Sequence, residues 1–356
     1  MIDPDAFAAL VCDWCLEVSE RRQVLVVSTT LAEPLVRALH RAMLERGAWP
    51  LLRLSFGELA RDFYAHARDW QHDTFGAVEL MEVEAVDAYV RIDAPADTQA
   101  LAGVDPDLVF RALRAREPIA RTRLSKRWCG TIWPTPALAR QAGMEEDDYA
   151  GFLNRALFLD RSDPLIAWRE LSARQDELVA RLADAREIRI EAEGTDLRVS
   201  VAGRTWINSD GRRNMPSGEV FTGPLEDSAE GTIRFTIPSN RQGVEVSDIE
   251  LRFSSGRVVS AHAGRGEEHL RSALQTDPGA RLLGELGIGT NPGIDRATGS
   301  TLLDEKIAGT VHLALGRSYP ETGGRNLSAL HWDLICDLRQ GGRLTADGAA
   351  IEIPGS

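Results

Sequence analysis

The run Gln23-Val24-Leu25-Val26-Val27 constrains the fold more than any other segment of the chain. It is short, continuously apolar and rich in β-branched residues, as in a strand buried on both faces of a parallel sheet. The residues after it specify the connection. Thr30 can cap a helix, and Glu33, three residues on, completes a capping box. Leu31, Leu35, Leu39, Ala42 and Met43 then form an inner stripe, and Gly47 sits where the helix would stop. Pro50-Leu51-Leu52-Arg53-Leu54 reads as the next strand. Strand, helix and strand in this order make a βαβ unit, which implies a right-handed crossover in a parallel sheet. Ala88–Ile92 is a further strand, and the stretches Glu146–Leu159 and Asp163–Ala185 are predicted to be helical.

The period changes near Arg186. Glu187–Ala192 alternates with period two, and a Glu-Gly-Thr turn leads into Leu197–Val201, which together read as a hairpin. Alternating runs recur at Thr232–Ile237, Ile249–Phe253 and Val258–His262, interrupted by a helix over Gly266–Thr276. A chain of 356 residues suits two domains at roughly 100–200 residues each. The expected class is therefore α/β over residues 1–185, with a mostly parallel sheet, followed by an α+β domain rich in antiparallel strands over 186–356.

Charge and composition narrow the function. Lys+Arg 41 against Asp+Glu 54 leaves a formal charge of −13, which repels phosphate backbones and argues against nucleic acid as a partner. No run of 18 apolar residues exists to span a membrane. The first residues, Met1-Ile2-Asp3-Pro4-Asp5, are acidic and unlike a signal peptide. Cys12, Cys15, Cys129 and Cys336 are too few for a disulfide framework, so a cytoplasmic location is expected. Three local patterns carry little weight. Cys12-Asp13-Trp14-Cys15 has no second pair to complete a zinc site and reads as helix core. The seven basic residues from Arg111 to Arg127 read as a solvated helix face or a subunit contact. Gly287–Gly293 lacks the ending of a phosphate loop and reads as a turn.

The second half holds the chemistry. His312 lies inside the apolar strand Val311–Leu315, where an unpaired imidazole is costly, so it needs a hydrogen-bond partner or a metal. His331 and Asp333 stand at i and i+2 and so share one face of an extended strand, with Trp332 pointing away. Glu219 stands at the mouth of a buried strand, and Glu285 is surrounded by apolar and small residues. Each carboxylate alone is explained by an arginine partner; two acids, two histidines and one Asp together are better explained by a shared divalent-metal site. Mixed nitrogen and oxygen ligands suit Zn²⁺, Co²⁺ or Mn²⁺, and the residues by themselves leave metal-assisted hydrolase and metal oxygenase both open.

At these residues the chain resembles the thermophilic aminopeptidase T family, the M29 metallopeptidases. The resemblance rests on four ordered blocks: Asp210–Thr222, Glu285–Pro292, Asp304–Gly316 followed by Tyr319, and Gly323–Asp333. They span about residues 204–339; the N-terminal half is similar more loosely, chiefly in Trp133-Pro134-Thr135. The resemblance implies that Glu219, Glu285, His312, His331 and Asp333 are the ligands of a two-metal site and that Tyr319 is the catalytic tyrosine. It implies second-shell or substrate-orienting roles for Glu305 and Lys306, peptide substrates with a free N-terminus, and a homodimer. The chain departs from the family pattern in its shorter length and its 19-residue spacing from His312 to His331. The rival on the same scaffold is a ring-cleaving dihydroxypyridine dioxygenase with a mononuclear non-haem iron, which has no use for the two additional acids. A non-catalytic relative acting as a binding module is the third reading.

Overall fold

A computed structural model describes residues 2–57, 59–241 and 243–353. Contacts divide the chain into two compact units, Met1–Leu165 with Gly211–Pro216, and Ile166–Asp210 with Ser217–Ser356.

The first unit is built on a five-stranded parallel sheet. Its order is Trp49–Ser55, Gln23–Thr29, Ala88–Asp93, Arg127–Ile132 and Asn214–Met215. Val24, Leu25 and Val26 are buried in the second strand of this order, as an unbroken apolar run requires. The helix after it spans Glu33–Glu45 and buries Leu35, Leu39, Ala42 and Met43. Its approach differs from the capping box read at Thr30. The strand runs on to Thr29, whose hydroxyl accepts from the Leu31 amide at 3.3 Å, and a 3₁₀ turn at Thr30–Ala32 precedes the helix. That extra turn rotates Leu31 off the inner face and leaves it 42% exposed.

Cys12 and Cys15 lie in a single π-helical turn, Val11–Cys15, that continues the first helix, and all four cysteines are free and buried. The basic run is engaged locally. Arg111 pairs with Asp69 and Asp73, Arg116 with Glu79, Arg121 with Glu117 and Arg127 with Glu17.

The second unit packs two antiparallel sheets. The seven-stranded sheet runs in the order Arg257–His262, Ile249–Ser254, Glu230–Phe235, Thr195–Ser200, Glu187–Ala192, Arg343–Ala346 and Ala349–Ile351. The five-stranded sheet runs His331–Asp337, Thr310–Gly316, Leu283–Gly289, Glu219–Thr222 and Ile207–Ser209. The period-two alternation of the sequence is thus the alternation of core and solvent faces, as in Thr195–Ser200, where Thr195, Leu197 and Val199 are buried. The helix Pro164–Leu182 contributes Leu178 and Leu182 to the same core. All of this helix but Pro164 and Leu165 thus belongs by contact to the second unit, although the change of period comes only at the first strand after it.

The core between the sheets sets the rigidity of the site. Leu286, Leu313 and Leu334 come from three adjacent strands and are fully buried in it. Leu313→Ala is expected to cost about 2–5 kcal/mol through lost burial and a residual cavity. Leu327→Ala, at a residue 86% exposed, should shift stability by less than about 0.5 kcal/mol. Urea titration of both variants checks the contrast.

Candidate metal centre

The five-stranded sheet presents one face on which the candidate ligands converge. Its registers pair Glu219 with Gly289, Gly287 with His312, and Ala314 with Asp333, while His331 pairs with Gly316. Since side chains alternate along each strand, Glu219, Glu285, His312, His331 and Asp333 all project from this face. The register shifts between Leu283 and Glu285, and this irregularity aims Glu285 between the two histidines.

Glu285 is the residue common to both halves of the cluster. Its Oε1 lies 3.3 Å from His312 Nε2, and its Oε2 lies 3.6 Å from His331 Nε2. Glu219 Oε2 is 3.3 Å from His312 Nε2, and Asp333 Oδ2 is 3.6 Å from His331 Nε2. Two groups follow, Glu219–Glu285–His312 and Glu285–His331–Asp333, each with ligand atoms within 4.8 Å of one another.

The polar bookkeeping of the face fits a cation. Glu219 Oε2 and Asp333 Oδ1 are buried and have no hydrogen-bond partner among the described residues, a costly state for carboxylate oxygens unless a cation meets them. His331 Nδ1–H donates to the Arg317 carbonyl at 2.8 Å, which leaves Nε2 as the basic nitrogen directed at Glu285 and Asp333. Three acids and two imidazoles form a donor set suited to borderline divalent ions.

The electrostatics point the same way. Burial pushes the Glu219 and Glu285 carboxyls above their ordinary range; Lys306 works against this at Glu219 and His312 at Glu285. For His312 the order reverses. Burial favours the neutral imidazole, but the bond to Glu285 and the charges of Glu219, Glu285 and Glu305 outweigh it and raise the pKa to about 9. His331 is also raised, against its own burial, by Asp333 and Glu285. The sign of the linkage is then set. The His312 contribution to metal-free stability is complete below its ordinary 6.5 and is lost as pH rises through about 9. An ion that needs neutral His312 must displace that proton, so metal affinity is expected to climb between pH 6.5 and 9. Calorimetric titration with Zn²⁺ in buffers of different ionisation enthalpy measures the released protons; affinity that stays flat over this window would contradict the ligand assignment.

Tyr319, 38% exposed, follows the strand end at Gly316, whose φ of +95° lets the chain turn back over the face. Its ring centroid is 5.3 Å from that of His331 and 5.5 Å from that of Phe221. Although the residue as a whole is part-exposed, desolvation around its hydroxyl and the surrounding carboxylates raise its phenol well above the ordinary value, so it stays protonated, a donor rather than a phenolate.

The turn expected over Gly287–Gly293 is confined to Pro292 and Gly293, and the structure corrects the first half of the segment. Gly287 and Gly289 lie in the last three residues of a fully buried strand, Leu283–Gly289. A Cβ at Gly287 would lie 2.0 Å from His312 Nε2, and one at Gly289 would lie 2.1 Å from the Ile307 carbonyl. The glycines here make room for close approach. Gly287→Ala is therefore expected to push the His312 imidazole out of place and weaken metal binding by at least about 10–100-fold, the cost seen when ligand orientation is lost. Calorimetry with Zn²⁺ checks it.

Two further residues support the face and were less legible in sequence. Asn291 donates from Nδ2 to the Ser217 carbonyl at 2.7 Å and from its amide to the Lys306 carbonyl at 3.0 Å. Lys306 is fully buried against Glu219 and Glu305. A lysine set among Ile307, Ala308 and Gly309 was the available signal for the second.

Comparison with known proteins shows what the chain as a whole is similar to. The family described as thermophilic metalloprotease (M29) matches residues 3–353. Aminopeptidase 2 of Geobacillus stearothermophilus is 29% identical over 352 residues, covering 89% of this chain and 84% of that protein. Aminopeptidase T of Thermus thermophilus is 34% identical over 252 residues, 63% of this chain and 61% of that protein. The solved structure of wild-type AmpT from Thermus thermophilus superposes with a TM-score of 0.85 at 27% identity, over 98% of this chain and 96% of that one. The 2,5-dihydroxypyridine dioxygenase of Pseudomonas putida KT2440 reaches a TM-score of 0.58 at 19% identity over 99% and 96%, a likeness of fold alone.

Proposed function

The chain belongs to the M29 family of thermophilic metalloproteases, and we propose that it is a metal-dependent aminopeptidase that works through a pair of divalent ions. The observation that carries this reading is the pair of ligand groups joined at Glu285. On this reading Glu219, Glu285 and His312 would hold one ion, and Glu285, His331 and Asp333 would hold the other. Two Zn²⁺, Co²⁺ or Mn²⁺ ions so held supply Lewis acidity and bring a water's pKa towards neutrality.

The remaining work falls to the protein. Tyr319, kept protonated by its surroundings, donates its hydroxyl hydrogen bond to the oxyanion that develops on the scissile carbonyl. Glu305 orients substrate from beside the ligand groups. The substrates are short peptides with a free N-terminus, and the enzyme acts as a homodimer, as the family resemblance supports. Four free, buried cysteines support a reducing, cytoplasmic setting. The acids Glu219 and Glu285, both buried on the ligand face, favour this chemistry over a mononuclear iron held by two histidines and one carboxylate.

The test is direct. Purified protein should bind two equivalents of metal by elemental analysis and release p-nitroaniline from aminoacyl-p-nitroanilides after addition of Zn²⁺, Co²⁺ or Mn²⁺. N-acetylated substrates should resist. A single bound iron without peptidase activity would overturn the reading.

A further inference from the structure

Lys306 is an unusual residue to find beneath a cation site. It is 0% exposed and among the largest fully buried side chains of the chain. A buried ammonium repels incoming cations, so its presence beside the ligands needs a geometric reason.

That reason is visible in how its backbone is anchored. Asp304 accepts from the Thr298 amide at 2.7 Å, the Thr298 hydroxyl at 2.7 Å and the Gly299 amide at 2.9 Å, which fixes the loop entering Lys306. The Lys306 carbonyl accepts from the Asn291 backbone N–H, and the Asn291 side chain donates to the Ser217 carbonyl two residues before Glu219. Gly218, at φ +121°, lies so close that a Cβ there would meet Asn291 Cβ at 2.7 Å. One asparagine therefore sets the separation between the lysine backbone and the glutamate backbone. From these anchors the ammonium reaches Glu219 Oε1 at 3.4 Å and makes a shorter contact with Glu305 Oε1. The second Glu219 oxygen, Oε2, is left without a hydrogen-bond partner and faces His312.

We propose that Lys306 is a positioning residue that divides the labour of two carboxylates: it occupies Glu219 Oε1 so that only Oε2 meets an ion, and it holds Glu305 outside the ligand set. The inference rests on the two-ion reading above. Positioning and plain electrostatics predict opposite signs for its removal. Deleting a buried like charge alone strengthens cation binding, whereas deleting the residue that orients a ligand weakens it, by about 10–100-fold for supporting residues of this kind.

The experiment compares wild type with Lys306→Met, close in length and uncharged. Calorimetric titration with Zn²⁺ and the visible absorption of the Co²⁺-loaded proteins are measured, with thermal melts as the folding control. Weaker binding of one ion by about 10–100-fold, with altered Co²⁺ band intensity as Glu219 or Glu305 changes its ligation, supports the proposal. Equal or tighter binding with an unchanged Co²⁺ spectrum overturns it. If Lys306→Met fails to fold, the crystal structure of Zn²⁺-loaded wild type decides. Glu219 bound through Oε2 alone, with Oε1 on Lys306, supports the division; a bidentate Glu219 or a Glu305 ligand overturns it. Wild type that binds fewer than two ions defeats the two-ion reading itself, and so is distinguishable from failure at Lys306.

Discussion

Replacing Glu285 by alanine should abolish binding of both metal equivalents, not one. Glu285 is the residue shared by the two ligand groups, with one oxygen towards His312 and the other towards His331. On the two-ion reading, its loss leaves each group with two ligands and removes the negative charge between the two cations. Ions held this way would lower the barrier for amide hydrolysis by several kcal/mol, so kcat/KM should fall on the order of 10³-fold or more. Asp333→Ala makes the informative comparison, since it belongs to one group only and should spare the ion on the Glu219 side. Metal content after gel filtration, read beside the nitroanilide assay, checks both variants. Two retained equivalents in Glu285→Ala would falsify the shared-ligand assignment.

The second large effect is expected at Tyr319, and its signature differs. Tyr319→Phe should lower kcat by roughly 10²–10³-fold, the cost of removing one oxyanion donor, with KM and metal content nearly unchanged. The reasoning is that the phenol is a donor only while protonated. Desolvation around the hydroxyl and the charges of Glu285 and Asp333 raise its pKa, so the wild-type hydroxyl stays protonated well above neutrality. The variant should keep its fold, because the ring contacts with His331 and Phe221 do not involve the hydroxyl. Activity that survives the substitution would reduce Tyr319 to a wall of the site. A fall in metal content would instead assign it to support of the ligands.

How much of this was legible in advance depended on the range of the signal. Val24–Val27 declared a buried parallel strand because the pattern is local, and the sheet has that strand flanked on both edges. The period-two runs from Glu187 onward likewise became antiparallel strands. The cap at Thr30 was displaced by one residue, because strand length is set by pairing with Trp49–Ser55, a long-range contact. At the site, His331 and Asp333 were readable from their i, i+2 spacing on one strand. Gly287 was not. Its role lies in the absence of a Cβ opposite His312, and the two are 25 residues apart and meet only through strand register.

The sequence by itself determined the candidate residues of the site: which residue types are set in apolar company, and which of them share a strand face. Burial cost alone is enough to single out such residues, because an isolated carboxylate or imidazole among apolar neighbours must have a partner. Only the tertiary structure decided who those partners are. The sheet register brought Glu285 between two histidines, and the loop at Asn291 placed the Lys306 ammonium against one oxygen of Glu219. Electrostatic and ligand contacts act over a few ångströms, and distances that short between residues far apart in the chain exist only after the strands have paired.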